Sequence, residues 1–222
     1  MFSHRVSILT GHYGTGKTEV SVNLALALAA EGEQVMLADL DIVNPYFRSR
    51  ERRPLLEKAG VRVISSSQAC SDADVPALPA ELLTILENRE IRGILDIGGD
   101  PVGARVLARF QPKIVQEDYQ LIFVLNANRP EVRDAESAAA YLRSIEAVTG
   151  LTCSGLVNNT HLCGETTPAE IRKGAALAQE VSRQTGIPIL CHTAEVCFAD
   201  AVSDLREPVF PITINMKKPW ER

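Results

Sequence analysis

Short apolar runs alternate with amphipathic stretches of helical period along nearly the whole chain. The runs read as buried strands near Val6–Thr10, Gln34–Asp39, Val61–Ile64, Gly93–Ile97, Leu121–Asn126, Ser154–Asn158 and Ile187–Cys191, with Val209–Asn215 as an edge strand. Between them, helices are expected near Lys17–Ala30, Pro54–Ala59, Pro79–Asn88, Pro101–Ile114, Glu131–Thr149 and Pro168–Thr185. Apolar strands that alternate with helices predict an α/β chain whose central, mostly parallel sheet of about seven or eight strands is covered by helices on both faces. Boundary residues support this reading. Thr167-Pro168-Ala169-Glu170 has the form of an N-cap, a first-turn proline and a capping-box glutamate, and Asp100-Pro101 offers a second cap-plus-proline start. Gly60, Gly150 and Gly186 read as the residues that end helices. Ser65 to Pro79 is the one long polar connection, and no repeat or linker divides residues 1–222, so one domain is expected.

The strongest chemical signal lies between the first strand and the first helix. Gly11-His12-Tyr13-Gly14-Thr15-Gly16-Lys17-Thr18 fits the GxxxxGK[ST] phosphate-binding loop. Its glycines let successive backbone N–H groups curl around a phosphate chain. The helix N-terminus adds partial positive charge, Lys17 bridges the β- and γ-phosphates, and the Thr18 hydroxyl ligates Mg²⁺. Two acidic motifs follow. Asp39 and Asp41 close the second strand two residues apart, the spacing that turns both side chains to one side. Beside a triphosphate that already holds Mg²⁺ and Lys17, one acid fits the metal's water shell and the other the attacking water; the alternative is a strand-end cap before Asn44-Pro45. Asp96-Ile97-Gly98-Gly99 ends another apolar strand. It offers Asp96 to the Mg²⁺ shell and the Gly99 backbone to the γ-phosphate.

These residues resemble the ParA/MinD/nitrogenase-iron-protein group of P-loop NTPases, the SIMIBI class, from residue 5 to about 215. A closer similarity links GHYGTGKTE, DLDIVNPYFRSRE, DIGGDPVGARVL and GLVNNT to clostridial-type ATP-binding proteins. The resemblance implies a three-layer P-loop NTPase fold in which the strands bearing the loop and the Asp96 motif are neighbours. It also implies ATP hydrolysis at a face-to-face homodimer, with Asp41 orienting the lytic water and Asp39 and Asp96 holding the Mg²⁺ shell. The group's loop reads Lys-Gly-Gly-x-Gly-Lys-Thr, its first lysine crossing to the partner's phosphates. Here that position is His12, followed by Tyr13, and Glu19 comes after Thr18. His12 is a weaker, pH-sensitive substitute for that lysine, or His12 and Tyr13 are exposed loop residues. The loop, Glu19, Gly99, Asn158 and Asn159 form the expected nucleotide contacts. A guanine reader needs Asn-Lys-x-Asp after the sixth strand; Asn158-Asn159-Thr160-His161 lacks the lysine and the aspartate, which favours adenine through a carboxamide, unless the two asparagines simply turn the chain. By the same analogy Cys191–Ala194 supplies the other wall of the base pocket.

Composition narrows the partners. The 222 residues are 45% hydrophobic and 23% charged with a net charge of −5, an ordinary globular balance that speaks against a nucleic-acid-coating surface. Arg48, Arg50, Arg52 and Arg53 form the one dense basic run, suited to docking or switching. No run of about 20 apolar residues exists. Met1–Arg5 leads straight into the first strand, so the chain reads as cytoplasmic. The tail Met216–Arg222 is too short, and contains a proline, to be an amphipathic membrane helix. Cysteines are absent from Asp100–Arg109, where an iron-protein would hold its cluster. Cys70, Cys153, Cys163, Cys191 and Cys197 lack CxxC spacing and read as free thiols, with a cluster of Cys163, Cys191 and Cys197 as the alternative. Three functions are consistent with these features. The first is an ATP-driven dimeric switch acting on a protein client, such as a metalloenzyme awaiting its cofactor. The second is an ATP-dependent small-molecule kinase or ligase resembling dethiobiotin synthetase. The third is a non-hydrolysing nucleotide-binding scaffold.

Overall fold

The computed structural model describes residues 1–41, 49–65 and 80–216. Eight strands form one sheet: β1 (Val6–Thr10), β2 (Gln34–Leu40), β3 (Arg62–Ser65), β4 (Ile91–Ile97), β5 (Tyr119–Leu125), β6 (Cys153–Asn158), β7 (Ile189–Glu195) and β8 (Val209–Ile212). Their order is β3-β2-β4-β1-β5-β6-β7-β8, and every neighbouring pair is parallel. The strand bearing the loop, β1, pairs with β4, which bears Asp96. From β1 the chain leaves towards β2, whereas from its other neighbour, β5, it leaves in the opposite direction towards β6. This switch point opens a crevice at the strands' carboxyl ends.

Alternating side chains build two cores. Val6 and Ile8 of β1, Met36, Ala38 and Leu40 of β2, and Leu121, Phe123 and Leu125 of β5 pack against α3 (Ala80–Glu87), α6 (Ala135–Thr149) and α7 (Pro168–Thr185). On the opposite face Leu9, Leu37, Ile122 and Val124 meet α1 (Lys17–Ala30) and Leu56 of α2 (Arg53–Lys58). Strands buried on both faces explain why they read as unbroken apolar runs. This is the three-layer α/β fold of P-loop NTPases.

The expected helix over Pro101–Ile114 is three pieces: α4 (Pro101–Ala104), a 3₁₀ turn over Arg105–Arg109, and α5 (Gln111–Ile114). Pro112 has no N–H for the ladder and starts a new helix instead, while Leu107, Phe110 and Ile114 still face the core. Helix α6 starts at Asp134, whose carboxylate takes the Ser137 N–H in a reciprocal capping box. The box expected at Thr167 does not form, because Glu170 is engaged elsewhere, accepting from Asn128 Nδ2 at 2.7 Å. Strand β7 begins later than expected, after Pro188, and runs on to Glu195 through pairing with β8. Arg48, Cys70, the Ser66–Pro79 stretch and the tail after Met216 lie outside the described residues.

Candidate nucleotide site

The loop from Gly11 to Gly16 is held from outside by its own carbonyls. Asn159 Nδ2 donates to Thr15 O at 2.7 Å, Arg129 Nε donates to Gly14 O at 2.7 Å, and Thr15 Oγ1 donates to His12 O at 2.9 Å. With those carbonyls bound outward, the loop's N–H groups, apart from that of Thr15, which donates to His12 O at 3.2 Å, can face a common anion, the geometry of a backbone nest. Gly16 shows why glycine is required: its φ is +82°, and a Cβ there would lie 2.2 Å from Asn159 Nδ2.

Lys17 opens α1 and is buried. Burial pulls its ammonium below the usual lysine range, while Asp96, Asp41 and Asp100 oppose that by attraction. Asp39 and Asp96 stand side by side in register on β2 and β4, 3% and 1% exposed. Asp41 lies just past the end of β2, also buried, with the site of a Gly98 Cβ only 3.5 Å from its Oδ1. The Asp96 carboxyl is pushed up to about 7, first by burial and then by the charge of Asp39, with Lys17 and the Thr18 hydroxyl pulling the other way. Despite Thr18 nearby, neither Asp96 oxygen reaches hydrogen-bond geometry with any group among the described residues. A fully buried carboxylate without a donor, beside a second acid and a hydroxyl, is a hard-oxygen donor set that fits Mg²⁺ or its water shell. Among the described residues no cluster of three His, Cys, Asp or Glu side chains stands at direct metal-binding geometry.

The Asp96 motif continues into the loop. A Cβ on Gly99 would lie 2.8 Å from Lys17 Nζ and 2.9 Å from Gly11 O, so only glycine permits this approach. Tyr141, on α6, donates its hydroxyl hydrogen bond to Gly99 O, and its ring meets His12 edge-on at a centroid distance of 5.0 Å. Tyr141 thus touches both the loop and the Asp96 segment. Asp100 caps α4 by accepting from Gly103 N at 2.8 Å. His12 turns towards its own chain, with Nδ1 3.1 Å from Tyr13 O and 3.7 Å from Glu131 Oε2. The imidazole is packed on Tyr141 and is not the exposed loop side chain of the alternative reading. Tyr13 is 53% exposed at the cavity rim.

A cavity of about 750 Å³ runs from Lys17, Thr18 and Asp41 to Thr193, Ile212, Ile214 and Met216. Asn159 lines it, with its Oδ1 accepting from Thr193 Oγ1 at 2.5 Å. Asn158 does not, which corrects the expectation that both asparagines face a base. Asn158 Nδ2 is spent on Ile171 O and His192 Nδ1, and its Oδ1 accepts from Thr160 N. Glu19 lines the same cavity and also has a structural task. Its carboxylate receives the backbone N–H groups of Asn215 and Met216 at 2.8 and 2.9 Å, while Asn23 exchanges hydrogen bonds with the backbone of Thr213. Glu19 and Asn23, one turn apart on α1, therefore pin residues 213–216 as the apolar wall of the cavity. Sequence reading missed Arg129, Tyr141, Asn23 and this wall. The one available signal was that β5 ends in Asn126-Ala127-Asn128-Arg129, polar like the end of β6.

Cys153 and Cys191 are buried, and burial pushes both thiols up to about 12. With Cys191 in the core beside Val157, and Cys163 at the cavity rim, the cluster alternative is not assembled. Among the described residues no helix is long and apolar enough to cross a membrane.

Residues 1–50 match the model of the ParA family described as NUBPL iron-transfer P-loop NTPase. A cytosolic Fe-S cluster assembly factor, cfd1, of Emericella nidulans is 36% identical over 95 residues, 43% of this chain and 26% of that protein. The iron-sulfur cluster carrier protein of Escherichia coli K12 is 50% identical over 40 residues, 18% of this chain and 11% of that protein. The matched stretches thus span about a quarter or less of these relatives. Among solved structures, the cell division protein FtsY of Thermotoga maritima aligns with a TM-score of 0.59 at 23% identity, covering 85% of this chain and 61% of that one. The signal recognition particle 54 kDa protein of Aeropyrum pernix, in complex with GDP, aligns at 0.53 and 23% identity, covering 83% and 40%. The structural neighbours share the fold, and the family match over residues 1–50 agrees with the part of the ParA/MinD resemblance carried by Gly11–Thr18 and Asp39/Asp41. A P-loop family match implies nucleotide binding.

Proposed function

We propose that this chain is a Mg-ATP-dependent P-loop ATPase that works as a dimeric switch on a protein client, and that the client acquires a metal centre. The observation that carries the reading is the buried, donor-less Asp96 carboxyl beside Lys17 at the mouth of the loop. The triphosphate lies against the loop N–H groups with Lys17 across its β- and γ-phosphates. Thr18, with Asp39 and Asp96 through water, would hold Mg²⁺, which would supply neutralisation of the phosphate charge. Asp41 orients a water for in-line attack at the γ-phosphorus. The new P–O bond forms as the bond to the β,γ-bridging oxygen breaks, leaving ADP and phosphate. The apolar wall of Ile212, Ile214 and Met216 suits the face of a purine. His161 stands where a guanine reader needs an acid, so adenine is the expected base. His12 serves its own loop through Tyr141, and the nucleotide-dependent contact with a second copy runs over the exposed Tyr13 rim. The metal-maturation role rests on the iron-sulfur proteins among the relatives.

Light scattering of Asp41→Ala tests this. The variant should bind ATP and accumulate as a dimer that persists, whereas wild type returns to monomer as ATP is consumed. A variant that stays monomeric with ATP contradicts the switch. ATP turnover that starts only when a small metabolite is added selects the kinase or ligase class instead.

A further inference from the structure

The cradle holds a cation that the chain's own acids do not answer. Lys17 is faced by Asp96, Asp41 and Asp100. Arg129 comes from the β5–α6 connection, and among the described residues no carboxylate forms an ion pair with it. Its guanidinium donates from Nε to Gly14 O at 2.7 Å. That contact clamps the side chain to the loop: a Cβ on Gly14 would lie 2.7 to 2.9 Å from Arg129 Cζ, Nε and Nη2. Arg129 lines the same cavity as Lys17 and Thr18. Fixed at Nε, it keeps both Nη groups, four N–H donors in a rigid fork, for a ligand. Beside it His161 is buried against the loop, its Nε2 close to Gly14 and Gly16. The His161 ring accepts from Cys163 N at Nδ1, 3.3 Å, which places the proton on Nε2, on the side of the Gly14 backbone.

Resting on the nucleotide reading above, we propose that Arg129 is a second cationic ligand of the phosphate chain. It supplies from within the subunit a charge that His12, in place of a lysine, does not. A guanidinium that braces the loop through Gly14 and also reaches the phosphates is preorganised, because its position is set before the nucleotide arrives.

Calorimetry with Mg-ATP, Mg-ADP and adenosine on wild type, Arg129→Gln and Arg129→Lys separates the possibilities. Loss of a charge-assisted contact should weaken ATP and ADP by roughly tenfold to a hundredfold in Arg129→Gln, with Arg129→Lys between, and leave adenosine unchanged. The slope of log affinity against log salt for ATP should also fall. If adenosine weakens as much as ATP, Arg129 is only a brace and the proposal fails. Unchanged ATP affinity overturns it as well. Should Arg129→Gln not fold, the ATP-to-adenosine affinity ratio in Arg129→Lys decides instead: a lowered ratio supports the proposal and an unchanged one overturns it. Wild type that binds none of the three ligands overturns the nucleotide reading itself, a different failure from wild type that binds and variants that match it.

Discussion

Replacing Asp96 by asparagine should stabilise the ligand-free protein while removing its response to Mg-ATP. The Asp96 carboxyl sits 1% exposed, and burial with the Asp39 charge pushes it from 3.8 to about 7. Below about pH 4 both the folded and unfolded chains carry it protonated. Between about pH 4 and 7 the unfolded chain loses the proton and the native chain keeps it, so stability falls as pH rises; above pH 7 the loss is complete. At about 1.4 kcal/mol for each pH unit, ionised Asp96 costs the fold roughly 4 kcal/mol at high pH, more than half of which develops between pH 5 and 8. Asparagine is neutral throughout and escapes this cost. Asp39 also loses a like-charged neighbour, which adds in the same direction. Urea unfolding of wild type and Asp96→Asn at pH 5 and 8, without metal or nucleotide, should show the variant's advantage growing by roughly 2–3 kcal/mol. Carboxylates away from Asp96 titrate alike in both proteins and drop out of that difference. An advantage equal at the two pH values would refute the idea that Asp96 is held protonated by its surroundings. Adding Mg-ATP should then reverse the order, since only wild type gains the full linkage stabilisation.

Glu19→Ala should release the wall at residues 213–216, read as faster hydrogen exchange at the Asn215 and Met216 amides and weaker ATP binding; unchanged exchange would show that the wall stands without Glu19. Tyr141→Phe removes the hydroxyl from Gly99 O, at a stability cost of about 1 kcal/mol, and should lower kcat for ATP while sparing ADP affinity. Equal losses in both would assign Tyr141 to packing alone. Phe123→Ala, in the centre of the sheet, should cost about 3–5 kcal/mol in a denaturant melt, with a loss under about 1 kcal/mol contradicting its place in the core.

The layer order and the phosphate loop were legible because both follow local rules: apolar runs buried on two faces, and a glycine pattern between a strand and a helix. Asp39 and Asp96 were legible for the same reason, as acids ending apolar strands. The rest depends on which distant groups the sheet brings together. Asn158 and Asn159 are adjacent in the chain, yet alternation at the strand end sends one into the α7 contact and the other to the loop. Glu19 reads as part of the loop motif, and its partners lie 196 and 197 residues away. Arg129 belongs to no motif, and its role appears only when β5 sets it against Gly14. The helix expected over Pro101–Ile114 failed for a local reason, Pro112, that apolar periodicity alone overrode.

Titration calorimetry of Mg-ATP into wild type and Lys17→Ala tests the central claim most directly. Saturable binding at one site per chain, lost in Lys17→Ala with the fold retained, is the predicted result. Heat that is absent in wild type, or unchanged in the variant, would contradict the assignment of the Gly11–Thr18 loop as the nucleotide site.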